Sequence, residues 1–434
     1  MRGLRATVMG LGHFGGGVAA ARWLARQGAA VTVTDLARSE HLAEALAALE
    51  GGSIAAFHLG GHRQQDFLGA DLVVVNPAVR PDHPLVRLAA DCGARITSEI
   101  ELFLDACPAR VVGVTGSNGK STTAAMAAEI LRADGRRTWL GGNIGGSLLD
   151  QLPEMTPDDW AVLELSSFQL WHLSPRARGV DVAIVTNCSP NHLNWHPTWE
   201  HYVAAKQRIL ALQPPDGLAV LNTANPDLSG WARLVRGRLL PPLADERIPP
   251  LRVPGRHNRR NAACAAAAAM GIGCSRFAVE RGLAEFAGLA QRLELVATVG
   301  GRLFYNDSAS TTPESTIEAL GSLPKPLWLL AGGSDKGADL DPMLAATTEN
   351  ARGAAFFGSV GPRLHERLAG LSPSLPACST PLLPDALGWC WTISQPGDSI
   401  VLSPGFSSHD QFTNYRQRGE AFVGLVLTLG KRPH

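Results

Sequence analysis

The chain has 434 residues, which at about 150 residues per domain points to roughly three domains with separate hydrophobic cores. Its 39 Lys plus Arg offset 39 Asp plus Glu, so no whole-chain field favours nucleic acid or anionic lipid, and no nucleic-acid partner is expected. The longest apolar runs, such as Leu72 to Val75 and the alanine-rich Ala262 to Met270, fall short of the ~18 to 20 residues of a membrane span.

In chain order, short β-branched runs alternate with Ala/Leu-rich stretches. The predicted strands are Ala6 to Met9, Val31 to Thr34, Leu72 to Val75, Val111 to Val114, Ala161 to Leu165, Val182 to Thr186, Leu327 to Leu330, Ala354 to Phe357 and Ser399 to Leu402. That alternation predicts an α/β protein of parallel sheets covered by helices. Cys107-Pro108-Ala109-Arg110 precedes a fresh strand, and Ala297 to Arg302 separates a helical region from Leu303-Phe304-Tyr305. These breaks predict three α/β domains at 1–105, 106–295 and 296–434. Met1 to Val8 leads into a glycine loop with no apolar stretch ending in a cleavage site, and the seven cysteines form no C-x-x-C pair. Reduced core thiols in a cytoplasmic protein are the expectation.

The first predicted strand ends in Gly10-Leu11-Gly12-His13-Phe14-Gly15, and the second ends in Asp35, twenty residues after Gly15. This is the spacing of a dinucleotide fingerprint, in which glycines admit a diphosphate to a helix N-terminus and the acid meets ribose hydroxyls. A lone fingerprint also fits a ligand-free turn, NAD or another nucleotide diphosphate.

A second glycine loop, Thr115-Gly116-Ser117-Asn118-Gly119-Lys120-Ser121-Thr122, follows the strand Val111 to Val114. Its N–H groups can wrap phosphates, Lys120 can reach the β and γ oxygens, and the Ser121 hydroxyl can ligate Mg²⁺, which makes an ATP site. Valine at 114 replaces the usual first glycine, so the loop is a variant that relies on Gly116. The strand Ala161 to Leu165 then offers Glu164 as a metal carboxylate, followed by Ser166 and Ser167 at the sheet edge where ligands gather. Two bland candidates follow: His192 in a loop, and Lys206 within Tyr202-Val203-Ala204-Ala205-Lys206.

Together with Gly142-Asn143-Ile144-Gly145, Gly255-Arg256-His257-Asn258, Asn261, Arg292, Asn306-Asp307-Ser308, Gly332 to Gly337 and Ser403 to Gly419, these motifs resemble, in order and over the full length, the Mur ligase family of ATP-dependent amide-forming enzymes. The resemblance implies a Rossmann-like N-terminal domain for a UDP moiety, a central P-loop ATPase-type domain, and a Rossmann-like C-terminal domain that brings the amino acid. The implied reaction joins D-glutamate to UDP-N-acetylmuramoyl-L-alanine through an acyl phosphate during peptidoglycan precursor synthesis, in a protein acting as a monomer. L-glutamate is the alternative substrate; a NAD-dependent oxidoreductase, or a non-catalytic protein on a ligase fold, is the rival of another class.

By the same resemblance, Gly116 to Thr122 hold ATP and Lys120 contacts the transferring phosphate, while Ser121, Glu164, His192 and a carbamylated Lys206 hold two Mg²⁺ ions. Asn258 and Asn261 lie on the adenine side, Arg292 approaches the γ-phosphate, and Asp307 reaches the ATP ribose. Gly12, His13, Phe14, Asp35, Asn143 and Ser166 belong to the UDP substrate; Lys336, Ser408, Tyr415 and Thr311 belong to the amino acid. Three departures from the family pattern stand out: Ala309 where a lysine is usual, Asn194 for an aspartate, and Gln291 for a histidine. The first leaves Ser310 or Thr311 as substitute donors to the amino acid's carboxylate.

Overall fold

The computed structural model describes residues 1–12, 15–80, 82–190, 192, 195–223, 225–335 and 337–429. His13, Phe14, Asn194 and Lys336, singled out above, lie outside the described residues.

Strands β1 (Arg5–Met9), β2 (Ala30–Asp35), β3 (Ile54–Leu59), β4 (Leu72–Val75) and β5 (Arg95–Thr97) form a parallel sheet in the order β3-β2-β1-β4-β5. The order reverses between β1 and β4, and the first glycine loop leaves β1 at that point, the crevice where open α/β sheets take ligands. The four residues of β4 are all buried, which explains its unbroken valine run: a strand covered on both faces has no polar side.

A second parallel sheet comprises β6 (Arg110–Thr115), β7 (Thr138–Gly142), β8 (Trp160–Glu164), β9 (Val182–Val185), β10 (Leu218–Leu221) and β11 (Arg238–Leu240), in the order β11-β10-β9-β6-β8-β7. Strand β6 lies between β8 and β9, with Val114 opposite Glu164 and Thr115 opposite Val185. The segments that follow these three strands therefore emerge side by side.

The third sheet holds β12 (Glu294–Val299), β13 (Arg302–Asn306), β14 (Leu327–Gly332), β15 (Gly353–Phe357), β16 (Ala377–Thr380) and β17 (Ser399–Gly405), ordered β12-β13-β17-β14-β15-β16. Only β12 runs antiparallel, joined to β13 through Gly300-Gly301. The stretch around residue 297, read above as a separator, is thus a hairpin, and the cut at 295/296 falls inside β12. Its β-branched and apolar run Leu295-Val296-Ala297-Thr298-Val299 has a strand's composition but, with a register shift between Leu295 and Ala297, no clean alternation to mark it.

By density of contacts the chain divides into two compact units, Met1–Pro249 with Arg260–Ala284, and Pro250–Arg259 with Glu285–His434. The first carries the first two sheets and the second carries the third. Inside the first unit, Arg22 and Arg26 pair with Asp150, Trp195 Nε1 donates to Ala78 O at 3.1 Å, and His172 Nε2 bonds Val79 O at 3.0 Å, so the loop after β4 is pinned to the helix Ser167–His172 and to the segment before the helix Trp199–Ala211. All seven cysteines are free thiols, but Cys92 is exposed and Cys378 half-buried, so the expectation of core thiols holds for the other five.

Candidate active site

The second glycine loop joins β6 to the helix Lys120–Ala133. Gly116 (φ 153°) and Gly119 (φ 78°) occupy backbone conformations that disfavour a side chain, and a Cβ would run into Thr186 Oγ1 at the first and Asn261 Oδ1 at the second. The loop is held by the segment after β9. Asn187 Oδ1 accepts from Ser117 N (3.1 Å) and Asn118 N (2.9 Å), its Nδ2 donates to Asn118 O (3.0 Å), and Thr186 Oγ1 donates to the same carbonyl (2.6 Å). Ser117 Oγ sits 2.8 Å from the Tyr202 hydroxyl. Lys120 Nζ donates back to Ser117 O at 2.9 Å, and Ser121 is buried in the first helical turn, where the helix dipole favours anions.

Beside this loop, Glu164 ends β8 and is buried; Asn143 Nδ2 donates to its Oε1 at 3.0 Å, and Asn143 N donates to its backbone oxygen at 2.9 Å. Ser166 caps the helix Ser167–His172 in a reciprocal pair with Gln169, so its hydroxyl already serves the helix end. His192 has φ 56°, the left-handed region that a histidine enters at an energetic cost.

Lys206 lies on the helix Trp199–Ala211 and is buried, with Nζ 2.6 Å from Gly116 O and 4.7 Å from the Tyr202 ring centroid. Burial, then the nearby Lys120 charge, pushes its amine well below the ordinary lysine value, with Glu164 acting in the opposite direction. Lys120 and Glu164 are thus both within electrostatic reach of Lys206. Among the described residues no group of three or more His, Cys, Asp and Glu side chains is placed to hold a metal ion. The Ser121 hydroxyl and the Glu164 carboxylate nevertheless fit Mg²⁺, a hard ion that takes one or two protein oxygens and completes its shell with substrate phosphates and water.

The first glycine loop is tied to β2 by Asp35, whose Oδ2 accepts from Leu11 N and Oδ1 from Ala37 N, both at 2.8 Å. Its carboxylate fixes the mouth at β1 and β2, and Gly12 lies in that loop with φ 70°.

In the second unit, Asp307 follows β13 and is buried. Its Oδ1 accepts from Leu293 N (3.1 Å) and its Oδ2 from Ser403 Oγ (2.8 Å). Burial raises its carboxyl to about 6, against those hydrogen bonds and the Arg292 charge. Arg292 stands between two left-handed residues, Gln291 (φ 63°) and Leu293 (φ 49°), a backbone strain of the kind that gathers at functional sites. Asn258 Nδ2 donates to Pro254 O at 2.7 Å. Ser408 is buried in the segment after β17, Tyr415 opens the helix Tyr415–Leu429, and Thr311 is exposed.

The sequence reading assigned no role to Asn187, Tyr202 or His196. Their signals are weak, because an asparagine and a tyrosine near a loop are common; only the fold shows that Asn187 closes the glycine loop. His196 is fully buried, shares hydrogen bonds with Ser167 Oγ (2.9 Å) and His201 Nδ1 (2.8 Å), stacks on Phe168, and is pushed down to about 4 by burial.

Two family models match the chain: the Mur ligase MurD-like N-terminal domain over residues 4–98 and the Mur ligase middle domain over residues 114–239. The UDP-N-acetylmuramoylalanine--D-glutamate ligase of Anaeromyxobacter dehalogenans is 39% identical, the alignment covering 98% of each chain, and that of Symbiobacterium thermophilum is 35% identical with the same coverage. In fold, the chain resembles the crystal structure of the UDP-N-acetylmuramate-alanine ligase MurC from Thermotoga maritima, with TM-score 0.64 and 19% identity over 98% of this chain and 99% of that one. MurF from Acinetobacter baumannii gives TM-score 0.59 and 16% identity over 86% and 93%. With glycine loop, strand-end carboxylate and buried lysine gathered as described, and with relatives matched from end to end, the chain belongs to the Mur ligase family, in its UDP-N-acetylmuramoylalanine--D-glutamate ligase branch.

Proposed function

We propose that the protein joins D-glutamate to UDP-N-acetylmuramoyl-L-alanine with conversion of ATP to ADP and phosphate, as the names of its relatives indicate for those enzymes. The observation that carries this is that the buried Lys206 on the helix Trp199–Ala211 lies within electrostatic reach of both Lys120, after the glycine loop that follows β6, and Glu164 at the end of β8. That arrangement serves transfer of a phosphoryl group between two anions and leaves no role for a hydride acceptor.

In the first step a carboxylate oxygen of the acceptor attacks the γ-phosphorus and ADP leaves. In the second the glutamate amine attacks the acyl carbon of the resulting anhydride, loses a proton, and inorganic phosphate leaves with both electrons of the broken C–O bond. The residues chiefly position and neutralise. The loop's N–H groups and Lys120 hold the phosphates, Arg292 offsets charge on the transferring group, Asn258 and Asn261 take the adenine side, and Asp307 takes the ribose. Gly12, His13, Phe14 and Asp35 hold the UDP end; Asn143 and Ser166 line the muramoyl-alanine end; Lys336, Ser408, Tyr415 and Thr311 hold glutamate. Two Mg²⁺ ions, held by Ser121, Glu164, His192 and a carbamate on Lys206, would screen the phosphate charges when bound. Burial favours the neutral Lys206 amine, the form that adds to carbon dioxide with release of one proton, and this supports the carbamate.

This reading keeps three domains at about 1–105, 106–295 and 296–434, one to each sheet once the last cut is moved ahead of β12, in a cytoplasmic monomer. Phosphate release that requires both UDP-N-acetylmuramoyl-L-alanine and D-glutamate tests it; release without either, or with L-glutamate alone, overturns the reaction or its stereochemistry respectively.

A further inference from the structure

Arg418 is the largest fully buried side chain among the described residues, and the reaction above gives it no task. It lies in the first turn of the helix Tyr415–Leu429, and its guanidinium reaches three strand ends at once. Nε donates to Ser308 Oγ (3.1 Å) and Nη2 to Ser308 O (3.0 Å), both after β13. Nη1 donates to Phe406 O (3.0 Å) after β17 and, at 3.4 Å, to Gly332 O at the end of β14. Ser308 Oγ in turn donates to Tyr415 O at 2.7 Å, which fixes the start of the helix. The segments so joined are tightly apposed: Ser334 N donates to Ser407 O at 2.8 Å, and a Cβ on Gly333 would strike the same oxygen.

All four acceptors are neutral, and among the described residues Arg418 makes no ion pair; Asp410 and Asp307 act on it only at longer range. Burial lowers its value to about 10, so it stays charged at neutral pH. A buried cation matched only by dipoles is costly, and an anion bound nearby lowers that cost. Phe406 stands two residues before Ser408, and Ser308 holds Tyr415, so the charge is built into the frame of the two residues assigned to glutamate.

We propose that Arg418 is a positioning and selectivity residue for the incoming amino acid, locking the segments after β13, β14 and β17 around the Ser408 and Tyr415 pocket and adding a buried positive charge that favours an acidic substrate. The inference rests on glutamate being that substrate.

The test uses the full-length enzyme with Arg418→Met, Arg418→Lys and Ser308→Ala, each assayed for KM of D-glutamate, ATP and the UDP acceptor, for kcat, and for Tm. Arg418→Met is expected to raise the KM for D-glutamate roughly tenfold or more, the scale of lost bonds to a charged group, with the KM for ATP unchanged. Arg418→Lys should fall between wild type and Met, because it keeps the charge and loses the fork. A purely structural arginine would make Lys no better than Met and would move all three KM values together with Tm; that result, or an unchanged glutamate KM in folded Arg418→Met, overturns the proposal. If Arg418→Met does not fold, Ser308→Ala decides: a selective rise in glutamate KM with little change in Tm supports the proposal, and no selective rise overturns it. A wild-type enzyme that does not use D-glutamate would instead overturn the substrate reading.

Discussion

Lys206 Nζ donates to the carbonyl oxygen of Gly116 at 2.6 Å, binding a buried amine on one helix to the loop that follows β6. A protonated lysine is poorly housed there, since burial and the Lys120 charge both oppose it. Lys206→Ala should therefore lose nearly all ligase activity while still binding ATP, and a small added carboxylate should restore part of it by standing in for the carbamate. Full activity of the unsupplemented variant, measured by phosphate release, would refute the assignment.

Asn187 closes the same loop, accepting from two of its N–H groups. Asn187→Ala leaves those donors and the Asn118 carbonyl without that partner, at a cost of roughly 1 to 3 kcal/mol, and calorimetry should find ATP binding weakened about tenfold or more. Unaltered ATP affinity would show that the loop holds its shape without the asparagine.

Asp307 carries a pH signature. Its folded value, raised from 3.8 to about 6, means that the native protein binds a proton the unfolded chain has already lost between those values. Stability from this group is then present below about pH 4 and declines as pH rises toward 6, by roughly 3 kcal/mol at most. Asp307→Asn removes the titration, so its Tm relative to wild type should climb between pH 4 and 7 in thermal melts. A difference independent of pH would contradict the burial argument.

Asp35 accepts from Leu11 N in the first glycine loop and from Ala37 N just after β2, so its removal disturbs the mouth of the first sheet. Asp35→Ala should raise the KM for the UDP acceptor, leave ATP binding as it was, and lower stability by about 1 to 2 kcal/mol for the two lost hydrogen bonds. Tight NAD binding by the wild type, with no response to the UDP acceptor, would sink the diphosphate assignment itself.

Sequence alone determined the α/β class, both glycine loops and the family, because these depend on local patterns: a glycine where φ must be positive, a valine run where a strand is buried on both faces, a lysine three residues after Ser117. It missed all six sheet edges, β3, β5, β7, β11, β12 and β16, whose residues are mostly only partly buried or exposed, and it also missed the interior β10, all four of whose residues are buried. Only the tertiary structure decided the roles that need distant partners. Asn187 is an ordinary asparagine until β9 brings it beside the loop after β6, Lys206 is an ordinary helical lysine until burial disfavours its charge, and Arg418 is one arginine among many until three strand ends converge on it. Sequence fixes which groups are available; burial and strand order set the distances and the dielectric in which they act, and those decide what the groups do.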